Sequence, residues 1–155
     1  MKIPVLSSGL AVLALLAPLS TYAQPAERNL AAEEVNKALV VNFYNQFFNE
    51  HETETSSQVV ADDYIQHNPD VPDGKAPFVG YFAEYFVENP DYRSKIVRSA
   101  TEGDLVWLHV HSTNGEQDLG DAVVDIFRVQ DGKIVEHWDV IQTVPAEAAN
   151  SNSMF

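Results

Sequence analysis

Apolar and polar residues alternate from Val123 to Val129 and again from Ile134 to Ile141, with Asp131-Gly132 between the two runs. Period-two alternation, β-branched and aromatic residues and an Asp-Gly step together predict a β-hairpin over residues 121–144. Successive strand side chains point to opposite faces, so Asp125 shares a face with Val123 and Phe127, and His137 and Asp139 share one with Val135 and Ile141. A two-residue type I′ turn would set Asp125 opposite Trp138. A type I turn over Gln130-Asp131-Gly132 with a glycine bulge would set it opposite His137. The second register is preferred, because it gathers Asp125, His137 and Asp139 on one surface and leaves Arg128 and Glu136 as a diagonal ion pair on the other.

Upstream the period changes. Val35, Leu39, Phe43 and Phe47 recur every four residues, flanked by Leu30, Val40, Tyr44 and Phe48, which predicts a long amphipathic helix from Asn29 to near Glu50. Ser56 or Ser57 is placed to cap a short helix through Val59, Val60 and Ala61 toward Asp63. Residues 64–74, YIQHNPDVPDG, read as an ordered loop with Tyr64, His67 and Asn68 at its start, since Pro69, Pro72 and Gly74 cannot continue a helix.

The helical period returns over residues 75–88, with Pro77 tolerated in the first turn and Phe78, Phe82, Tyr85 and Phe86 on one face. Strands over 92–101 and 105–112 then lead into the hairpin. Helices first and consecutive antiparallel strands after them define an α+β domain, its helices packed on one side of a curved antiparallel sheet. Such a sheet encloses a concave pocket that aromatic residues of the first and third helices would line.

Composition narrows the setting. Of 155 residues, the first 23 read as a signal peptide: Lys2 gives a positive start, residues 3–19 are largely apolar, and Thr21-Tyr22-Ala23 presents small residues where a signal peptidase reads. Pro4, Gly9 and Pro18 interrupt the apolar run, which disfavours a membrane span. Cleavage would leave one domain over residues 24–155, with a core at about 30–145 and a frayed polar tail over 146–155, exported to the periplasm or the medium. Removing Lys2 from the nine Lys and Arg leaves eight against 23 Asp and Glu, a formal charge of −15. That excess argues against nucleic acid and anionic membrane as partners. The chain has no cysteine, so thiol catalysis, disulfides and thiolate metal sites are excluded.

Candidate chemistry lies in the ionisable groups of otherwise apolar strands. His109 and His111 stand two apart, on the same side as Leu105 and Trp107. His-x-His is also the spacing of a strand metal site that His67 and His137 could complete, but the pattern is short and the site is read without a metal. A carboxylate beside a histidine and an apolar wall is a usable general acid or base. No Gly-rich phosphate loop or Gly-x-Ser-x-Gly elbow is present, so nucleotide chemistry and serine hydrolysis have no support.

Taken together, YIQHNP with its following DG, then GD-V-HVHS, then VDIFRVQDGKIVEHWDV, resemble the SnoaL-like polyketide cyclase group of the nuclear transport factor 2-like superfamily. The resemblance is greatest to a bacterial branch of aldol-condensation enzymes, and it spans about residues 30–145. It implies a cone-shaped fold in which helices close the mouth of a strongly bent antiparallel sheet, and a homodimer formed through the sheet's outer face. It also implies cofactor-free chemistry, in which a pocket acid on the DGKIVEHWD strand moves a proton during aldol ring closure. Asp139 is the closest match to that acid.

On this chain Asp139 would be base and acid, His111 or His67 would polarise the enolate oxygen, and Asp125 with His137 would orient Asp139. Tyr64, Phe82, Phe86, Trp107, His109 and Phe127 would complete the ligand-binding wall. The expected function is an exported enzyme of aldol cyclisation, isomerisation or dehydration on a small apolar carbonyl compound. The alternative is a non-catalytic module that captures a small hydrophobic molecule in the same pocket.

Overall fold

The computed structural model describes residues 27–155, so the signal peptide expected over residues 1–23 lies outside the described residues. Helix α1 spans Leu30–Phe48, α2 Thr53–Ser56, and a 3-10 turn Ser57–Val59 leads into strand β1, Val60–Gln66. Helix α3, Lys75–Glu88, is followed by β2 Tyr92–Glu102, β3 Leu105–Asn114, β4 Asp121–Gln130 and β5 Lys133–Thr143. Among the described residues no helix is long and apolar enough to cross a membrane.

The helices form where the sequence period places them. Asn29 caps α1, its side-chain oxygen accepting from the Ala32 amide at 3.1 Å. The buried stripe runs through Val40, Phe43, Tyr44, Phe47 and Phe48, but Leu30 and Val35 are exposed. Glu33 is buried in the first turn instead, where Arg28, the Thr101 hydroxyl and the Gly103 amide hold its carboxylate over the β2–β3 turn. Past the last turn, Asn49 accepts from the Ser94 amide at 2.8 Å and donates to the Ser94 carbonyl at 3.0 Å, which ties α1 to β2.

The sheet differs from the all-antiparallel expectation. Its order is β1-β5-β4-β3-β2, and β1 runs parallel to β5, which makes a curled, unclosed mixed sheet. The segment read as a short helix and the start of a loop is this edge strand. Only Val60 and Tyr64 of β1 are buried, and its pairing is irregular between Val60 and Ile65. Buried positions four apart imitate a helical period although the backbone is extended.

The hairpin turn also differs from the preferred reading. Asp131 and Gly132 both take positive φ, 50° and 73°, and Gln130 pairs with Lys133, so the turn is the two-residue type. One residue of β5, Val135, is then left over between the Val129–Ile134 and Arg128–Glu136 pairs. This bulge shifts the register by one more position, so Asp125 pairs with Asp139 rather than with Trp138 or His137. Because the total shift keeps the parity of the preferred register, Asp125, His137 and Asp139 still share a face. Arg128 and Glu136 are direct partners on the other, 2.7 Å apart.

The core lies between α1, α3 and the inner sheet face. Phe47 stacks on Phe78 at 4.6 Å, Phe43 meets Phe127 edge-on at 6.2 Å, and Val106, Leu108, Val110 and Ile134 are completely buried beneath them. Each such side chain stabilises the fold by about 1.5–3 kcal/mol. The polar tail expected to fray instead brings Phe155 back to the sheet's outer face, where its ring lies 4.1 Å from that of His111 and 5.6 Å from that of His109.

Candidate active site

Between the helices and the inner sheet face lies a cavity of about 440 Å³. Its roof is aromatic, formed by Tyr44 and Phe48 of α1 and by Phe78, Tyr81 and Phe82 of α3. Asn68, Asp70, Val71 and Pro72 rim it from the loop after β1, and its floor carries the polar residues of β1, β4 and β5. Three aspartates, Asp70, Asp125 and Asp139, line it without a lysine or an arginine.

Asp125 is the buried centre of the polar floor. Its Oδ2 accepts from the Tyr44 hydroxyl at 2.8 Å, and its Oδ1 lies 2.9 Å from His137 Nε2. His137 Nδ1 lies 3.0 Å from Gln66 Oε1. The amide of Gln66 has one possible orientation, because its oxygen also accepts from the Asn68 backbone N–H at 2.9 Å while its nitrogen donates to the Tyr64 hydroxyl at 3.3 Å. His137 therefore donates from Nδ1 to Gln66 and shares a proton with Asp125 at Nε2. The imidazole has no nitrogen left for a ligand.

Asp139 is held differently. It is half-buried, and both its oxygens accept from Asn68 Nδ2, at 3.0 and 2.8 Å. Asn68 is fixed in turn, its oxygen accepting from the Asp70 amide at 2.9 Å in a turn that Pro69 rigidifies. A carboxylate offers about four lone-pair sites, and one amide group does not fill them. Asp139 itself lines the cavity.

Asp125, His137 and Asp139 each bring a potential ligand atom within 4.8 Å of the others. A cation there would have to displace hydrogen bonds from His137 and Asp125, whose ring nitrogens and carboxylate oxygens are all engaged, so Asp125 and His137 fit a hydrogen-bonded pair, with Asp139 held apart by Asn68, better than a metal seat.

Two phenols respond to this charge. Burial, and after it the charge of Asp125, raises the Tyr44 hydroxyl well above the usual phenol range. Burial foremost, then Asp125 and Asp139, raises Tyr64 likewise. Both stay protonated donors. Tyr44 is committed to Asp125, whereas Tyr64 accepts from Gln66 and its own proton has no acceptor among the described residues.

Of the residues expected at the site, Asp125, Asp139, His137, Tyr64, Phe82 and Phe127 line the cavity. The others do not. The inward residues of β3 are Val106, Leu108, Val110 and Ser112, so strand alternation turns Trp107, His109 and His111 to the opposite face. There His111 donates to the Leu119 carbonyl at 2.9 Å. His67 is also outside, stacked on Trp138 at 4.6 Å and bonded to Glu136 at 2.8 Å, so neither histidine expected to polarise an enolate reaches the pocket. Phe86 is core, with its ring against His51 at 4.1 Å.

Gln66, Tyr92 and Ser112 line the cavity without having been expected there, Tyr44 is one of the first-helix aromatics expected to line it, and Asn68 has a role beyond the turn it was assigned. The signal for two of them was present. Once residues 60–66 are read as a strand, Tyr64, Gln66 and Asn68 fall on one side of the chain and Ile65 and His67 on the other.

Residues 38–150 match the family model of the SnoaL-like polyketide cyclases. No curated protein matches the chain significantly. Among solved structures, AclR of Streptomyces galilaeus, provisionally described as a hydroxylase, is 23% identical with a TM-score of 0.62, the match covering 71% of this chain and 90% of that one. TsrD of Streptomyces laurentii is 18% identical with a TM-score of 0.59, over 70% of this chain and 88% of that one. A Kribbella flavida protein provisionally assigned as a ketosteroid isomerase is 19% identical with a TM-score of 0.60, over 76% of this chain and 85% of that one. At these identities the structural likeness speaks for the fold.

Proposed function

Because the chain belongs to the SnoaL-like polyketide cyclase family, we propose that it is a cofactor-free enzyme that moves a proton on a small, largely apolar carbonyl compound, with Asp139 as the acid and base. The observation that carries this reading is the pairing, in one aromatic cavity, of a carboxylate with open lone pairs, Asp139, and a neutral phenol with an unclaimed proton, Tyr64.

In this reaction Asp139 takes a proton from the carbon next to a carbonyl; the electron pair of that C–H bond forms the new C=C bond, and the π pair of the C=O bond moves onto the oxygen. The Tyr64 O–H stabilises the resulting oxyanion in a site shielded from water. The enolate carbon then attacks a second carbonyl, closing a ring, and the alkoxide so formed takes the proton held by Asp139; where the enolate is extended by a conjugated double bond, Asp139 instead returns the proton to the far carbon of the dienolate. Asp125, with His137 and Tyr44 bonded to it, acts as a positioning group that fixes the floor on which Asp139 and Gln66 sit.

The same reading carries two further proposals. The N-terminal 23 residues export the protein to the periplasm or the medium, and the outer sheet face, where Val140 is 68% exposed beside Trp138, pairs two copies as a homodimer.

The test is exchange of α-protons for deuterium, followed by NMR in deuterated buffer with small ketones and β-diketones, for wild type and Asp139→Asn. Wild type is expected to exchange the protons of bound ketones at least about 100-fold faster than the variant, the usual weight of a positioned base. Binding by both proteins with no exchange by either would instead make the cavity a capture site for small hydrophobic molecules.

A further inference from the structure

A second group of polar residues lines the cavity on β2 and β3, away from the carboxylates of β4 and β5, and the chemistry above does not use it. Ser94 Oγ is 3.0 Å from the Tyr92 hydroxyl and 2.8 Å from Ser112 Oγ. Ser94 is completely buried and Ser112 is 6% exposed. Tyr92 and Ser112 line the cavity while Ser94 lies behind them, its backbone clamped on both sides by Asn49.

Three hydroxyls carry three protons, and two hydrogen bonds use two of them. Ser94 donates to Tyr92, so Ser112 donates to Ser94 and the proton of Tyr92 is left over. That donor stands at the cavity-lining end of the row, and no carbonyl or carboxylate among the described residues takes it. The nearest buried carboxylate, Asp125, is already filled by Tyr44 and His137. Tyr92 is half-buried, and a donor at the cavity wall without a protein acceptor favours a ligand that brings one.

From this we infer that Tyr92, Ser94 and Ser112 form a second oxygen-binding subsite, which takes a neutral acceptor oxygen, a carbonyl or an ether, at the end of the ligand remote from Asp139. The acceptor is neutral because no lysine or arginine lines the cavity and three aspartates do, which disfavours a carboxylate or a phosphate. The preferred ligand thus bears oxygens at two separated positions on an otherwise apolar frame. The subsite does not require Asp139 to be catalytic.

The experiment uses 2-tetralones carrying a methoxy group at carbon 5, 6, 7 or 8, each paired with its ethyl isostere, which replaces the ether oxygen with a methylene of similar size. Affinities are measured by calorimetry on wild type, Tyr92→Phe and Tyr92→Phe/Ser112→Ala, with α-proton exchange followed in the same samples. At one or more ring positions wild type is expected to bind the methoxy compound about fivefold more tightly than its isostere, as one neutral hydrogen bond provides. The double variant is expected to bind the two alike while keeping the wild-type circular dichroism spectrum and its affinity for the ethyl compounds.

Equal affinity within every wild-type pair, or no binding by any tetralone, overturns the subsite, as does a preference that survives in the double variant. Exchange without a methoxy preference would remove the subsite and leave the proton-transfer reading standing. A methoxy preference without exchange would do the reverse.

Discussion

Asp125 and Asp139 are direct partners across β4 and β5, yet among the described residues no donor serves both. Tyr44 and His137 fill the oxygens of Asp125, and Asn68 alone holds Asp139. Two chemically identical groups at one register position are thereby separated in role, one enclosed and one open to the cavity.

Tyr44→Phe is expected to destabilise the fold by about 1–3 kcal/mol, since it leaves Oδ2 of a buried carboxylate without its donor while the ring still packs. Urea unfolding monitored by tryptophan fluorescence would register this as a lower midpoint at unchanged slope.

Tyr64→Phe separates rate from binding. Loss of one oxyanion donor is expected to lower the exchange rate about 100-fold or more with little change in ligand affinity. His111→Ala, on the opposite face of the sheet, is expected to leave the rate within about twofold of wild type, since its contacts are Leu119 and Phe155 and not the cavity.

Acid stability should depend on Glu33. The Arg28 guanidinium foremost, with the Gly103 amide and the Thr101 hydroxyl, holds its carboxyl down to about 2, against an ordinary value of 4.5. A group with a lowered folded value contributes stability that is fully present above 4.5 and is lost as pH falls from there toward about 2. Glu33→Gln is therefore expected to flatten the pH dependence of the melting temperature across that window and to lower stability at neutral pH.

Gly120→Ala probes the backbone beside the second subsite. Gly120 has φ +72°, and an added Cβ would collide with the carbonyl oxygen of Ser112. Neither the conformation nor the space suits a side chain, so a loss of roughly 3 kcal/mol or more is expected, read by thermal unfolding.

Part of this molecule was legible in the sequence through period and part through chemistry. Residues 75–88 kept one helical period and form a helix with those bounds, and the hairpin placed Asp125, His137 and Asp139 on one face. The register was not legible, because nothing in the sequence marks Val135 as an extra residue, and the correct face survived through the parity of two errors. The edge strand was missed because a strand half outside the sheet buries too few residues to display alternation. That error hid Gln66 and gave His67 a place in the pocket. His109 and His111 were misassigned for a simpler reason: the residues that decide which side of β3 is inside are the valines and the leucine between them, and composition gives them no prominence.

His67 and Asn68 are consecutive, yet one grips Trp138 and Glu136 on the outside of β5 while the other grips Asp139 on the inside. The chain closes around the strand like a clasp. Asn68 thus ties the rim formed by Asp70, Val71 and Pro72 to Asp139, so one residue sets both the edge of the mouth and the position of the carboxylate beneath it.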